Sequence, residues 1–241
     1  MNQFMNLTRS SSARFWEPAP SRRRLVRGSA ALATGALALT VGGPAALPGI
    51  RRAAAQDSTP AALSGGFFED EADVLNFALR LERLDSTLYR QGLETFAEQD
   101  FVDAGYDEDV RNNLARIVEN EETQVEFLSD TISDLGDEPV GPEEYSFPYT
   151  TLPEFLALSQ QVEEVGLDAY TGAAQFLIGN DDLLTAALTI HAVEARHLAY
   201  FRLLNGVAPA PEAFELPLTP AEVLAAVQPV LVNGIGTPDA G

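Results

Sequence analysis

Two glutamate-centred patterns each occur twice in this chain, and all four glutamates fall on the apolar faces of predicted helices. The pairs are Glu82 with Tyr89, Glu163 with Tyr170, Glu194 with His197, and Glu121 with Gln124. A lone carboxylate in an apolar environment is costly unless something neutralises it. Carboxylates that converge from four helices are how a bundle builds a site for two metal ions. The patterns therefore favour an all-α bundle.

Four segments carry apolar residues at the three-to-four spacing of helices. They run from about Asp70 to Gly92, from about Asp107 to Leu135, from about Thr151 to Gly179, and from Asp181 to Gly206. A short fifth helix is predicted from Thr219, as cap, to about Val232. Strand signals are weak, because the chain contains no alternating run of useful length.

The lengths of the connections predict how these helices are arranged. The third and fourth helices are separated by only a few residues, so they must be antiparallel neighbours. The stretch of residues 136–151 is marked by proline and glycine and is long enough to cross the bundle lengthwise. Two hairpins joined by one long crossover match a ferritin-like four-helix bundle, with the short C-terminal helix covering one end.

The spacing of Glu194 and His197 suits a metal ion, since residues three apart lie on one face of a helix. A glutamate from a facing helix can bridge to a second ion. Four carboxylates would be balanced by two divalent ions, whereas without ions some of them must stay protonated. Oxygen-rich ligation with one or two imidazoles suits iron or manganese better than a softer metal.

The charge of the chain excludes several classes of partner. The 241 residues include no cysteine and no lysine, so disulfides, thiolate ligands and a cysteine nucleophile are excluded. Residues 1–55 hold eight of the fifteen arginines and a single acid, which leaves seven arginines against 35 acids in the remainder, a net charge of −28. Such a surface repels nucleic acid and anionic lipid, and it indicates either adaptation to high salt or an ordinary acidic exported protein.

Residues 1–55 are interpreted as an export signal. The run Ser21-Arg22-Arg23-Arg24-Leu25 precedes a weakly apolar stretch and a small-residue cleavage site at residues 53–55, and the paired arginines resemble the twin-arginine signal. We expect a mature protein outside the cytoplasmic membrane, whether extracellular, cell-surface or periplasmic. An uncleaved membrane anchor is the alternative, but we expect no permanent span. A linker at 56–66, the bundle at 67–206 and a C-terminal extension at 207–241 follow.

The mature chain resembles the ferritin-like domain proteins, in particular the exported branch that includes desiccation-related proteins. The resemblance covers roughly residues 67–206 and is carried by three stretches, residues 75–82, 163–173 and 190–197, the last ending in Val193-Glu194-Ala195-Arg196-His197. Metal-binding members use one glutamate on the first and third helices and Glu-x-x-His on the second and fourth. The resemblance therefore implies these metal ligands: Glu82, Glu121, Glu163, Glu194 and His197.

Gln124 departs from this pattern, which has a histidine at its position. Three outcomes are open: the amide coordinates weakly, a water fills the place, or the two-metal site is not built. Four further residues are expected to contact the metal ligands and orient them: Tyr89, Gln124, Tyr170 and His191. The tyrosines are interpreted as core aromatics whose hydroxyls bond a glutamate.

The function predicted is that of an exported protein with a carboxylate-bridged pair of iron or manganese ions. The expected chemistry is Fe(II) oxidation, or peroxide reduction or dismutation, in stress protection, with no catalytic residue beyond the ligands. Partners would be a small oxidant (dioxygen or peroxide) or Fe(II), and a homo-oligomer stays open. The alternative is a non-catalytic structural stress protein with a degenerate site, which Gln124 and the acidic surface favour.

Overall fold

The computed structural model describes residues 67–232. The predicted export signal at residues 1–55, the linker at 56–66 and the last nine residues lie outside this range. Within it, the chain forms six α-helices: α1 at Glu71–Thr95, α2 at Glu98–Asp103, α3 at Asp109–Leu135, α4 at Leu152–Ala173, α5 at Asp181–Leu204 and α6 at Pro220–Val227. Short 3-10 turns extend α4 over Ala174–Leu177 and α6 over Gln228–Val230.

The four long helices form the predicted bundle of two hairpins. Helix α1 packs against α3 and α4, and α4 packs in turn against α5 and α6. Residues 136–151 connect the hairpins without helical structure. No strand occurs among residues 67–232, where β pairing is limited to an isolated antiparallel bridge between Tyr145 and Leu231. The all-α prediction with one long crossover and a short C-terminal helix is confirmed.

Local signals explain where the helices begin and end. The side chain of Asp70 caps α1 by accepting a 3.1 Å hydrogen bond from the backbone of Asp73. Thr151 and Glu154 form a capping box at the start of α4, where the carboxylate of Glu154 accepts from the Thr151 backbone at 3.0 Å. Gly136 ends α3 at a φ of 90°, a left-handed conformation that glycine adopts without steric cost.

Helix α1 continues three residues beyond Gly92, where the sequence had indicated its end. Packing explains the difference, because a Cβ at Gly92 would lie 2.1 Å from the ring of the buried Phe155. The glycine therefore serves the close approach of α4 rather than a helix terminus. Helix α2 was not predicted, since its six residues are too few to show helical periodicity. Its buried Phe101 anchors it to the bundle.

Specific side chains hold the crossover against the bundle. Asn76 on α1 accepts a 2.7 Å hydrogen bond from the backbone of Val140 and donates one of 3.2 Å to the carbonyl of Glu138. Arg80 pairs with Glu143 one turn further along α1. These contacts give the crossover a defined position beside α1.

The hairpins enclose a continuous apolar core that includes Leu79, Leu88, Leu114, Phe155, Leu156 and Phe201. Among residues 67–232, no helix combines the length and the apolarity that a membrane span needs.

Candidate metal centre

Each of the four long helices contributes one buried glutamate to the centre of the bundle. The structure places five of the candidate ligands there, with exposures of at most 5%: Glu82, Glu121, Glu163, Glu194 and His197. They reach the core because each lies on the apolar stripe of its helix, among leucine, isoleucine and alanine neighbours. Burial at this level removes the water that would otherwise solvate the carboxylates.

The buried acids form two overlapping groups that could each hold a metal ion. The first group is Glu121, Glu163, Glu194 and His197, and the second is Glu82, Asp85, Glu121 and Glu194. Within each group, one ligand atom from every residue lies within 4.8 Å of the others. Glu121 and Glu194 belong to both groups, so their carboxylates lie between the two positions and could bridge them.

The distances around His197 fit ligands that share one ion. Its Nδ1 lies 2.8 Å from Oε1 of Glu121, 3.7 Å from Oε1 of Glu163 and 3.8 Å from Oε2 of Glu194. Ligands bound at about 2.1 Å to an octahedral divalent ion lie roughly 3 Å apart when adjacent and roughly 4 Å apart when opposite. The observed separations fall in or close to this range. A cation between these atoms therefore needs little rearrangement.

Several of these atoms are buried without a hydrogen-bond partner among the described residues. They are Glu82 Oε2, Asp85 Oδ1, Glu121 Oε2, Gln124 Oε1 and Glu163 Oε2, while Glu121 Oε1 and His197 Nδ1 have only each other, 2.8 Å apart. Native proteins rarely leave buried polar atoms unsatisfied, because each costs about 1–3 kcal/mol. Divalent metal ions bind to the free lone pairs of clustered carboxylates and of an imidazole. The donor set therefore fits a pair of metal ions.

Without cations, four acids of this centre favour their protonated forms: Glu82, Asp85, Glu121 and Glu163. Burial, reinforced by the negative charge of Glu194, raises the pKa of Glu82 from 4.5 to about 8. The same two causes raise the pKa of Glu121 and of Glu163 well above the usual range. Burial and the nearby Glu82 do the same to the pKa of Asp85. Divalent cations would replace these protons, because they stabilise the ionised carboxylates.

Two tyrosines connect the halves of the bundle crosswise. Tyr89 on α1 donates a 2.7 Å hydrogen bond to Oε1 of Glu163 on α4, and Tyr170 on α4 donates one to Oε1 of Glu82 on α1. Each hydroxyl therefore orients a carboxylate of the opposite hairpin. The two bonds correspond to each other, as expected from the repeated Glu–Tyr spacing on α1 and α4. Each bond leaves the second oxygen of its glutamate available to a cation.

Comparison with known proteins agrees with this geometry. Residues 70–207 match the family model of the ferritin-like domain. The chain belongs to the ferritin-like domain family. It is also similar to protein rds1 of Schizosaccharomyces pombe (strain 972 / ATCC 24843), with 25% identity over 171 residues. That match covers 69% of this chain and 40% of the relative, so this chain spans less than half the length of the curated relative it matches.

The position of Gln124 makes the two halves of this ferritin-like domain chemically different. Its Nε2 donates a 3.0 Å hydrogen bond to Oε1 of Glu194, so the amide orients one of the shared carboxylates. On the other half, Nε2 of His197 lies 3.1 Å from Nδ2 of Asn120. If Nδ1 binds a metal ion, Nε2 carries the proton, and the Asn120 amide would turn to present its oxygen. Sequence reasoning had not singled out Asn120.

His191 lies outside both ligand groups of the ferritin-like domain. Its Nε2 is 3.1 Å from the hydroxyl of Thr171, on the side of α5 that meets α4. Partial burial lowers the pKa of this histidine. Its contact fits a residue that links two helices rather than a ligand.

Asp85 is the member of the ligand groups that sequence reasoning missed. The residue is 2% exposed and belongs to the group that lacks an imidazole. A signal was present, because Asp85 follows Glu82 by the same three residues that separate Glu194 from His197. Asp85 was not predicted because the family pattern has a histidine at this spacing, and only on the second and fourth helices of the bundle.

Proposed function

We propose that this ferritin-like protein is an oxidoreductase with a carboxylate-bridged pair of divalent metal ions, iron or manganese. The observation that carries the proposal is that Glu121 and Glu194 are common to two buried ligand groups. A single ion would need only one such group. The shared carboxylates support two adjacent ion positions at the centre of the bundle.

Each of the buried residues would have a distinct role in binding these ions. Glu163 and His197 would bind one ion and Glu82 the other, while Glu121 and Glu194 would bridge them. Tyr89 and Tyr170 would fix the orientation of the outer glutamates through their hydrogen bonds. The chemistry supplied by the bound metals would be oxidation of Fe(II) as substrate by dioxygen or by a peroxide, in which two Fe(II) supply the two electrons that reduce one peroxide, or else dismutation of a peroxide.

An apolar cavity supports a small oxidant as the second substrate. It lies between α1, α3, α4 and α5, and its wall includes Ala78, Leu128, Tyr170, Ala173 and Ala187. Tyr170 borders the cavity and also bonds Glu82, so the cavity adjoins the ligand groups. An apolar lining suits a small uncharged oxidant, dioxygen better than a peroxide, and disfavours charged molecules.

We also propose that the protein works outside the cytoplasmic membrane, in stress protection. The arginine pair at residues 22–23 and the small-residue site at 53–55 support export through the twin-arginine pathway. The net charge of −28 on the remainder supports a protein that stays soluble at high salt. Assembly into a homo-oligomer is compatible with this proposal.

The test is elemental analysis of protein purified after native export, followed by assays of peroxide consumption and Fe(II) oxidation at high salt. Two iron or manganese ions per chain, lost in a Glu121→Gln/Glu194→Gln double variant, are expected. A matched control is Glu119→Gln/Glu126→Gln, which removes the same charge at two exposed positions of α3. Protein that contains neither iron nor manganese would contradict the proposal.

A second candidate function is a non-catalytic structural bundle, and the hydrogen bond from Gln124 to Glu194 favours it, because a donated N–H does not ligate metal. A Gln124→His variant separates the two. If only the variant gains metal and peroxidase activity, the natural site is degenerate. Activity in the natural protein would remove this candidate.

A further inference from the structure

We propose that Asp85 is a metal ligand in the half of the site that lacks an imidazole, so that oxygen atoms alone hold one of the two ions. This inference rests on the proposed function, because it presumes that the buried groups bind metal. It names the residue that completes the position where Gln124 stands in place of a histidine.

The duplicated helices show where the fourth ligand of each half comes from. The corresponding spacings are Glu82-x-x-Asp85 on α1, Glu163-x-x-Gly166 on α4, Glu121-x-x-Gln124 on α3 and Glu194-x-x-His197 on α5. In one half, the second helix of the hairpin supplies an imidazole and α4 supplies nothing at the third residue. In the other half, the second helix supplies an amide and α1 supplies a carboxylate. The extra ligand therefore lies on the second helix of one hairpin and on the first helix of the other.

The geometry brings Asp85 into the group that needs it. One of its carboxylate oxygens lies within 4.8 Å of ligand atoms from Glu82, Glu121 and Glu194. The side chain is 98% buried, as its exposure of 2% shows, and Oδ1 has no hydrogen-bond partner among the described residues. A buried carboxylate oxygen without a partner is costly, and a cation shared with three neighbouring carboxylates removes that cost.

Gly166 on α4 lies opposite Asp85, and its lack of a side chain leaves space for the Asp85 carboxylate. A Cβ built on Gly166 would have Oδ2 of Asp85 as its nearest neighbour, at 3.8 Å. The carboxylate therefore lies against the bare backbone of α4 at the position that corresponds to its own in the duplication. A second aspartate at residue 166 would put two carboxylates in the same space, so the site can hold one acid at this level and not two.

The donor set of this half predicts the class of metal. Glu82, Asp85, Glu121 and Glu194 offer oxygen atoms and no nitrogen, which suits a hard cation such as Mn(II) or Mg(II). The half with His197 offers a nitrogen and suits iron better. The two positions should therefore differ in metal preference, with Mn(II) favoured at the Asp85 position.

The test uses the full-length chain, freed of metal and titrated with Mn(II) alone in the absence of oxygen. Natural protein is compared with Asp85→Asn, which keeps the shape and removes the charge, and with the control Asp168→Asn. Asp168 is also a buried acid, but it lies outside both ligand groups. Bound manganese per chain is measured by elemental analysis, and electron paramagnetic resonance reports whether two Mn(II) ions lie side by side.

The natural protein and the control are expected to bind two Mn(II) ions per chain with a spin-coupled spectrum. Asp85→Asn is expected to weaken one of them by at least about tenfold and to give the spectrum of an isolated Mn(II) ion. If Asp85→Asn binds two ions as tightly as the natural protein, Asp85 is not a ligand, and the inference fails while the proposed function stands. A natural protein that binds no ion would overturn both.

A second measurement avoids any dependence on the folding of the variant. Crystals of the natural protein soaked in Mn(II) should show an anomalous scattering peak within bonding distance of an Asp85 oxygen. Peaks confined to the surroundings of His197 would overturn the inference.

Discussion

The hydroxyl of Tyr89 on α1 donates a 2.7 Å hydrogen bond to Oε1 of Glu163 on α4, across the interface of the two hairpins. Tyr170 returns the same bond from α4 to Glu82 on α1. Each tyrosine thus fixes a carboxylate that its own hairpin does not supply. The same pair of contacts therefore joins the two hairpins and orients two of the candidate ligands.

Replacing Tyr89 by phenylalanine should lower the free energy of unfolding by about 1–3 kcal/mol, because Oε1 of the buried Glu163 loses its donor while the ring remains. Urea unfolding at fixed pH and salt measures the change. Tyr106→Phe is the matched control, since its half-buried hydroxyl makes only a long contact of 3.4 Å to a carbonyl. Equal losses in the two variants would mean that the bond to Glu163 has no special weight.

The stability of the metal-free protein should fall as the pH rises. The pKa of Glu82 is about 8 in the folded protein against 4.5 ordinarily, so folding favours its protonated form. The stability that this proton contributes is fully present below about pH 4.5 and is lost as the pH rises through about 8. Urea unfolding with a chelator at pH 5 and pH 8.5 should show the fall. Glu82→Gln should show a shallower fall, and an unchanged slope in that variant would contradict the assignment.

Addition of metal should reverse this trend. Ions bind the ionised carboxylates and release their protons, so affinity should rise with pH over the range in which the metal-free protein weakens. At an ion concentration of 100 times Kd, each site should add about 2.7 kcal/mol to the free energy of unfolding. Thermal unfolding with Mn(II) and with a chelator measures the gain. His197→Ala should reduce it, whereas a gain of the same size in that variant would exclude His197 as a ligand.

Two glycines of α4 should differ in how much stability is lost on substitution by alanine. At Gly172, a Cβ would lie 2.0 Å from the carbonyl oxygen of Leu218, whose backbone also donates a hydrogen bond to the carbonyl of Asp168. Backbone cannot turn away as a side chain can, so Gly172→Ala should cost about 1–3 kcal/mol despite the better helix propensity of alanine.

Gly166→Ala is the matched control on the same helix, because its Cβ would only reach ordinary contact with Asp85 at 3.8 Å. Its free energy of unfolding should stay within about 1 kcal/mol of the natural protein, since alanine also favours the helix. Chemical unfolding of both variants, with helical content followed by circular dichroism, makes the comparison. A larger loss at residue 166 than at residue 172 would contradict the packing described for α4.

The helices and the candidate ligands on their inner faces could be predicted from local pattern. Glu163 follows Leu156 by seven residues, and His197 follows Glu194 by three, so helical periodicity alone assigns each to one face. The capping signals at Asp70 and Thr151 are equally local. These features depend only on neighbours along the chain, which the sequence contains in full.

Other features depended on which helices meet. The spacing of Glu82 and Asp85 puts both on one face of α1, but Asp85 joins a ligand group only because α1 packs against α3 and α4 at a particular rotation and level. From the sequence alone, Gly92 indicates the end of a helix. The structure shows that it instead allows the ring of Phe155 to pack closely against α1. The sequence by itself determined the helices and the acids that face inward. Only the tertiary structure decided which acids share a position, because distances between helices are set by the packing of whole side chains rather than by periodicity.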